Sequence, residues 1–164
     1  MRIYLAGPFF TEEARLSMHR AVGAIQSAIT TAELFNPEHA SRDIWAGRRP
    51  QEANSEDREK VLHQNVRGIL SADLVVAYLR GTGGPFTDQG TVWELGFAHA
   101  HGHRPIGFWD PQFDEINSLN LMVAETLAGV VTIAQLEGAI RGWAQHGWEW
   151  TKVNFPGPAM MEIV

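Results

Sequence analysis

The 164-residue chain contains no cysteine. That removes thiolate nucleophiles, disulfides and thiolate zinc sites, and leaves oxygen or nitrogen to do any covalent chemistry. Basic residues are outnumbered 13 to 19 by acidic ones, for a net charge of −6. A nucleic-acid polymer, whose affinity comes from neutralised phosphates, calls for the opposite balance. Long apolar runs are missing too, and Met1 leads directly into Arg2-Ile3-Tyr4-Leu5-Ala6. Neither a membrane span nor a signal peptide is therefore expected, and the cytoplasm is the default address. A small molecule carrying little charge is the partner these absences leave.

What is present reads as one globular domain over residues 1–164, with 45% hydrophobic and 20% charged residues and no low-complexity block. Ile3-Tyr4-Leu5-Ala6 is a short apolar run ended by Gly7-Pro8, a buried strand and its turn. Thr11 with Glu12 and Glu13 opens a helix whose inward face is Met18, Val22, Ile25 and Ile29. Leu34-Phe35 reads as a second strand, a polar loop follows over about 38–55, and a helix is expected from about 56 to 70. The run Leu74-Val75-Val76-Ala77-Tyr78-Leu79 is the clearest strand, and its lack of alternation predicts burial on both faces. Beyond a Gly-rich loop at 81–85 come a helix over about 91–101, a strand over about 106–109 and another near Val130-Val131. Thr132 with Gln135 forms a capping box for a last helix bearing Ile133, Leu136, Ile140 and Trp143.

Strands alternating with helices predict a parallel sheet covered on both faces, with ligands at the carboxyl ends of the strands. That edge receives the residues after Ala6, after Leu79 and before the helix near Thr91. The segment Asp88-Gln89-Gly90-Thr91-Val92-Trp93-Glu94-Leu95-Gly96 falls there with two carboxylates. One reading is structural: Thr91 and Glu94 form a capping box, and Asp88 favours a helix N-terminus. The other is chemical: Glu94 paired with Asp73, at the head of the strongest strand, has the inventory of a glycoside-cleaving site, one carboxylate as nucleophile and one acid for the leaving group. Phe9, Phe10 and Trp93 are either ordinary core or an apolar wall for a planar ligand.

Four segments, in order along most of the chain, carry a resemblance: Ile3-Tyr4-Leu5-Ala6-Gly7-Pro8-Phe9-Phe10, Ser71-Ala72-Asp73-Leu74-Val75-Val76-Ala77, Asp88-x-Gly90-x-x-x-Glu94-Leu95-Gly96 and Asn120-Leu121-Met122. Together they resemble the nucleoside 2-deoxyribosyltransferase family. The resemblance implies a flavodoxin-like doubly wound sheet of about five parallel strands, and transfer of deoxyribose between nucleobases through a covalent glycosyl-glutamate with net retention. It implies Glu94 as nucleophile, Tyr4 as the group positioning that carboxylate and Asp73 as proton donor to the departing base. Asp88, Gly7, Phe10, Asn120 and Met122 would bind substrate, with Asn120 and Met122 reaching a neighbouring subunit's site in a homo-oligomer. Asn65 stands eight residues before Asp73, where relatives commonly carry an acid, and receives no role. The partners implied are a deoxynucleoside and a free base, without cofactor or metal. His99, His101 and His103 are discounted as metal ligands because Gly102 breaks their helix and no acid completes the set.

Two other functions fit parts of the pattern. An N-glycosidase acting on deoxynucleosides or their 5′-monophosphates shares the aspartate strand and glutamate helix, although Gly7-Pro8-Phe9-Phe10 differs from the Gly-Ser-rich turn with arginine expected for phosphate. A non-catalytic sensor of nucleotide derivatives can use the same fold. The segments 37–50 and 80–87 do not align cleanly with the family, which leaves base preference open.

Overall fold

The structure is a computed structural model and describes residues 1–45, 52–80, 87–114 and 119–156. The Gly-rich loop expected at 81–85 lies outside the described residues.

Strand β1 (Arg2–Ala6) is followed by α1 (Glu12–Ala28), β2 (Glu33–Phe35), the short helices α2 (Pro37–Ala40) and α3 (Arg42–Trp45), and α4 (Ser55–Ser71). Then come β3 (Leu74–Tyr78), α5 (Gln89–Ala100), β4 (Ile106–Trp109), α6 (Leu121–Thr126), β5 (Gly129–Thr132), α7 (Leu136–His146) and α8 (Trp148–Asn154). All strand pairs are parallel in the order β2-β1-β3-β4-β5. This is the doubly wound arrangement the sequence predicts, with its switch point between β1 and β3. Among the described residues, no helix is long and apolar enough to cross a membrane.

Local chemistry sets the element ends. Thr11 accepts from the Ala14 N–H to start α1, Asn54 accepts from Asp57 to start α4, and the capping box of Thr132 and Gln135 forms as expected. Two of the sequence expectations are refined. The polar loop after β2 contains α2 and α3, because buried Asn36 caps Glu38 and Pro37 occupies the first helical position, so a turn forms where composition reads as loop. The C-terminal α8 was not foreseen; it packs against α7 and β5.

Alternation along the strands divides the core into two layers. Ile3, Leu5, Leu74, Val76 and Tyr78 face α1 and α7, whereas Tyr4, Ala6, Val75 and Ala77 face the side of α4 and α5. The chain has two tyrosines, and this parity sends them to opposite faces. Tyr78 donates to Asp114 Oδ2 at 2.6 Å on one face; Tyr4 stacks on Phe35, with centroids 5.3 Å apart, on the other.

Candidate active site

The segment around Glu94 folds differently from the capping-box reading. Helix α5 begins at Gln89, and its N-cap is Asp88, whose Oδ2 accepts from the Thr91 N–H at 3.1 Å and from Thr91 Oγ1 at 3.3 Å. Aspartate is a strong cap because its carboxylate satisfies an orphan N–H and meets the positive end of the helix dipole. Once Asp88 starts the helix, Glu94 lies in its second turn and has no capping duty. It points inward instead, 9% exposed.

There Glu94 meets Tyr4. The Tyr4 hydroxyl donates to Glu94 Oε1 at 2.6 Å, in the short range of bonds to a charged acceptor. Asn65 Nδ2 donates to the same oxygen at 3.3 Å. Asn65 reaches it because α4 lies hard against the sheet: a Cβ at Gly68, one turn further on, would stand 2.9 Å from the Phe35 ring and 3.0 Å from that of Tyr4. Only glycine allows that approach. Asn65 Oδ1 is buried without a hydrogen-bond partner.

The electrostatics follow from burial. Desolvation is the largest influence on Glu94 and pushes its pKa up to about 7; the Tyr4 hydrogen bond opposes it, the negative charge of Asp88 adds to it, and Asn65 opposes it again. The carboxylate thus changes charge near neutral pH. Burial, followed by the charge of Glu94, raises the Tyr4 phenol far above its usual range, so Tyr4 keeps its proton and acts as a donor.

The sequence-predicted residues divide accordingly. Tyr4, Glu94 and Asp88 come together. Gly7 sits at the carboxyl end of β1 with φ +155°, and a Cβ there would collide with Met18 and Tyr78, so the turn requires glycine. Phe10, half exposed, packs on Phe9 with centroids 4.7 Å apart. Trp93 stacks on Phe97 and is 46% exposed, on a different side of α5 from Glu94. Asn120 is the N-cap of α6, its Oδ1 accepting from the Met122 N–H at 2.9 Å, and Met122 is strongly exposed.

Asp73 requires a correction. Its carboxylate accepts from the Arg2 backbone N–H at 2.7 Å, and its own N–H donates to Arg2 O at 2.8 Å. Arg2 opens β1 and Leu74 opens β3 in a parallel pair, so Asp73 is exposed at the amino edge of the sheet, opposite the edge where ligands bind. A proton donor to a base held near Glu94 cannot stand there. The sequence already put Asp73 at the head of the strand; its role as proton donor was what the resemblance implied. Asn65 is the residue that sequence reasoning passed over. Its signal was its place eight residues before Asp73, where relatives commonly carry an acid. The neighbouring histidines have other partners: His99 Nδ1 contacts Arg104 Nη1, and His101 Nδ1 contacts Phe97 O, each at 2.8 Å.

A doubly wound parallel sheet with a buried glutamate, a tyrosine donor and a capping aspartate at its switch point defines an α/β enzyme acting on small molecules. The chain belongs to the nucleoside 2-deoxyribosyltransferase family, whose sequence model matches residues 3–138. Among solved structures it is similar to a 2-deoxyribosyltransferase from Bacillus psychrosaccharolyticus, with 25% identity and a TM-score of 0.62 over 79% of this chain and 85% of that one. It shares its fold with a conserved protein from Enterococcus faecalis, with 22% identity and a TM-score of 0.67 over 86% and 97% of the two chains. It also shares its fold with a CMP N-glycosidase from Clostridium botulinum, with 14% identity and a TM-score of 0.50 over 88% and 99%. No match was found among curated protein sequences. The activity is accordingly of the nucleoside deoxyribosyltransferase type, and the family acts on nucleosides and nucleobases.

Proposed function

We propose that the protein transfers 2-deoxyribose from a deoxynucleoside to a second base through an ester on Glu94, with net retention at C1′. The observation that carries this reading is the buried Glu94 carboxylate held by Tyr4 at 2.6 Å. Tyr4 and Asn65 both donate to Oε1, so Oε2 is the oxygen presented to the sugar. In the first step Oε2 bonds to C1′ as the C1′–N bond breaks, and the base departs with the bonding electrons and takes a proton from water. A nitrogen of the second base then attacks C1′ and gives up its proton to the hydroxide or water left by the first step, the ester C–O bond breaks, and the carboxylate is restored. Each step inverts C1′, and two inversions return the starting anomer. A carboxylate is a weak nucleophile in water; burial, proximity and the developing positive charge at C1′ make it competent here.

Asp88 binds the sugar or base in this scheme, and its charge helps keep Glu94 responsive near neutral pH. The exposed apolar side chains Trp93, Leu121 and Met122 support burial against a second copy, with Asn120 and Met122 entering the neighbour's site. Free nucleosides are preferred to 5′-monophosphates, because the turn after β1 is Gly7-Pro8-Phe9-Phe10 and brings no cation to a phosphate. The reaction needs no cofactor.

The test is incubation with deoxyinosine, with and without adenine, followed by chromatography. Deoxyadenosine formed only when adenine is present supports transfer; hypoxanthine released at the same rate in both cases makes the protein a hydrolase. Acid quench on donor alone should add a deoxyribosyl mass to the peptide containing Glu94. Repeated absence of that adduct would favour direct attack by water or by the acceptor.

A further inference from the structure

We propose that His19, Glu38 and His39 form a binding site for one divalent transition-metal ion, Zn²⁺ by preference, which ties α1 to the segment that follows β2. One ligand atom from each of the three side chains lies within 4.8 Å of the other two. The three come from two separately anchored elements. His19 lies on α1, whose neighbouring residues Met18 and Ala21 are fully buried in the core. Glu38 and His39 lie on α2, which is fixed by the buried Asn36 cap, accepting from the Glu38 N–H at 2.9 Å, and by Pro37 at the first helical position.

A second observation points to a ligand. Glu38 Oε1 faces Arg15 Nε at 3.6 Å, whereas Glu38 Oε2 is buried and has no hydrogen-bond partner. A buried carboxylate oxygen left unsatisfied is costly, and a cation bound to it removes that cost. Two imidazoles and one carboxylate form the borderline N₂O donor set that suits Zn²⁺ and its first-row neighbours and disfavours Mg²⁺ and Ca²⁺. In a tetrahedral zinc site with bonds of roughly 2.0–2.2 Å, donor atoms stand about 3.3–3.5 Å apart. His19 and His39 are exposed, so their rings are free to rotate toward that geometry, with water completing the coordination.

The test uses untagged protein, stripped with EDTA and dialysed, titrated calorimetrically with ZnCl₂ at pH 7.5. One equivalent is expected to bind, to raise the melting temperature, and, with Co²⁺ substituted, to give visible ligand-field absorption. His19→Ala and His39→Ala should each weaken binding at least tenfold and abolish the thermal shift, while His101→Ala leaves both intact. Glu38→Gln, which keeps the shape of the side chain, should weaken binding similarly and guards against a fold defect in the histidine variants. Wild-type affinity in His19→Ala and His39→Ala, equal weakening in His101→Ala, or no binding by the wild type overturns the proposal.

Discussion

Tyr4 and Glu94, ninety positions apart in the chain, share a 2.6 Å hydrogen bond in which the phenol donates to the carboxylate from strand to helix. A hydrogen bond to a charged group contributes about 1.5–3 kcal/mol. Tyr4→Phe is therefore expected to lower kcat/KM about ten- to a hundredfold. It should also raise the pH midpoint of the remaining activity, because the lost donor stabilised the ionised form. An unchanged midpoint would show that Tyr4 merely fills space.

In the proposed scheme Glu94 acts as an ionised nucleophile, and burial pushes its pKa up to about 7. Plots of kcat/KM against pH should accordingly rise through neutrality and level off above it. Glu94→Ala should cost at least about a thousandfold in kcat while leaving the circular dichroism spectrum intact. Retention of most activity would remove Glu94 from the chemistry.

The same shift has a signed effect on stability. The folded-state pKa lies above the ordinary value of 4.5, so between about pH 4.5 and 7 the folded chain holds a proton that the unfolded chain releases, and stability falls as pH rises through that window. Above pH 7 the cost reaches about 3 kcal/mol. Glu94→Gln should thus be more stable than wild type at pH 8, with the difference shrinking towards pH 4.5. Urea unfolding of both proteins at several pH values checks this, and a constant difference would mean that Glu94 is well solvated.

Asn65 acts on Glu94 through its amide. Asn65→Ala should raise the midpoint of the pH profile by removing a donor, and Asn65→Asp should raise it further by placing a second negative charge beside the first. Profiles indistinguishable from wild type would limit Asn65 to packing.

Asp73 binds the start of β1 at the far edge of the sheet. Asp73→Asn retains an oxygen to accept from Arg2, and its kcat should stay within about threefold of wild type on donors with good and poor leaving groups alike, since general acid catalysis contributes at least about a hundredfold where it operates. A selective loss on poor leaving groups would restore Asp73 as the proton donor.

If sites are shared between two copies, Glu94→Ala and Asn120→Ala, each nearly inactive, should complement one another. Unfolded together in equal amounts and reassembled, they would form mixed dimers in about half of the pairs, each with one intact site, so about a quarter of all sites should recover. No recovery, with mixed dimers confirmed by mass, would place Asn120 in its own chain's site or outside catalysis.

The sequence by itself determined the alternation of strands and helices, since periodicity and capping are local. The apolar runs at β1 and β3, the cap at Thr11 and the box at Thr132 and Gln135 all formed as read. It also offered Glu94 and Tyr4, through the family's motifs. It could not decide between Asp88 and Thr91 as the start of α5, because both are good caps; only the structure shows that Asp88 takes the role and frees Glu94 to turn inward. Nor could it decide which carboxylate joins Glu94. Asp73 precedes Leu74, so residue order already puts it at the amino end of β3; only the structure shows that its carboxylate is taken up there by the Arg2 N–H. Asn65 was noted at a position where relatives commonly carry an acid, but the sequence could give it no role. Its contact with Glu94 depends on how closely α4 approaches the sheet, and that distance is set by Gly68 against Phe35 and Tyr4, a packing relation between segments far apart in sequence that no local pattern encodes.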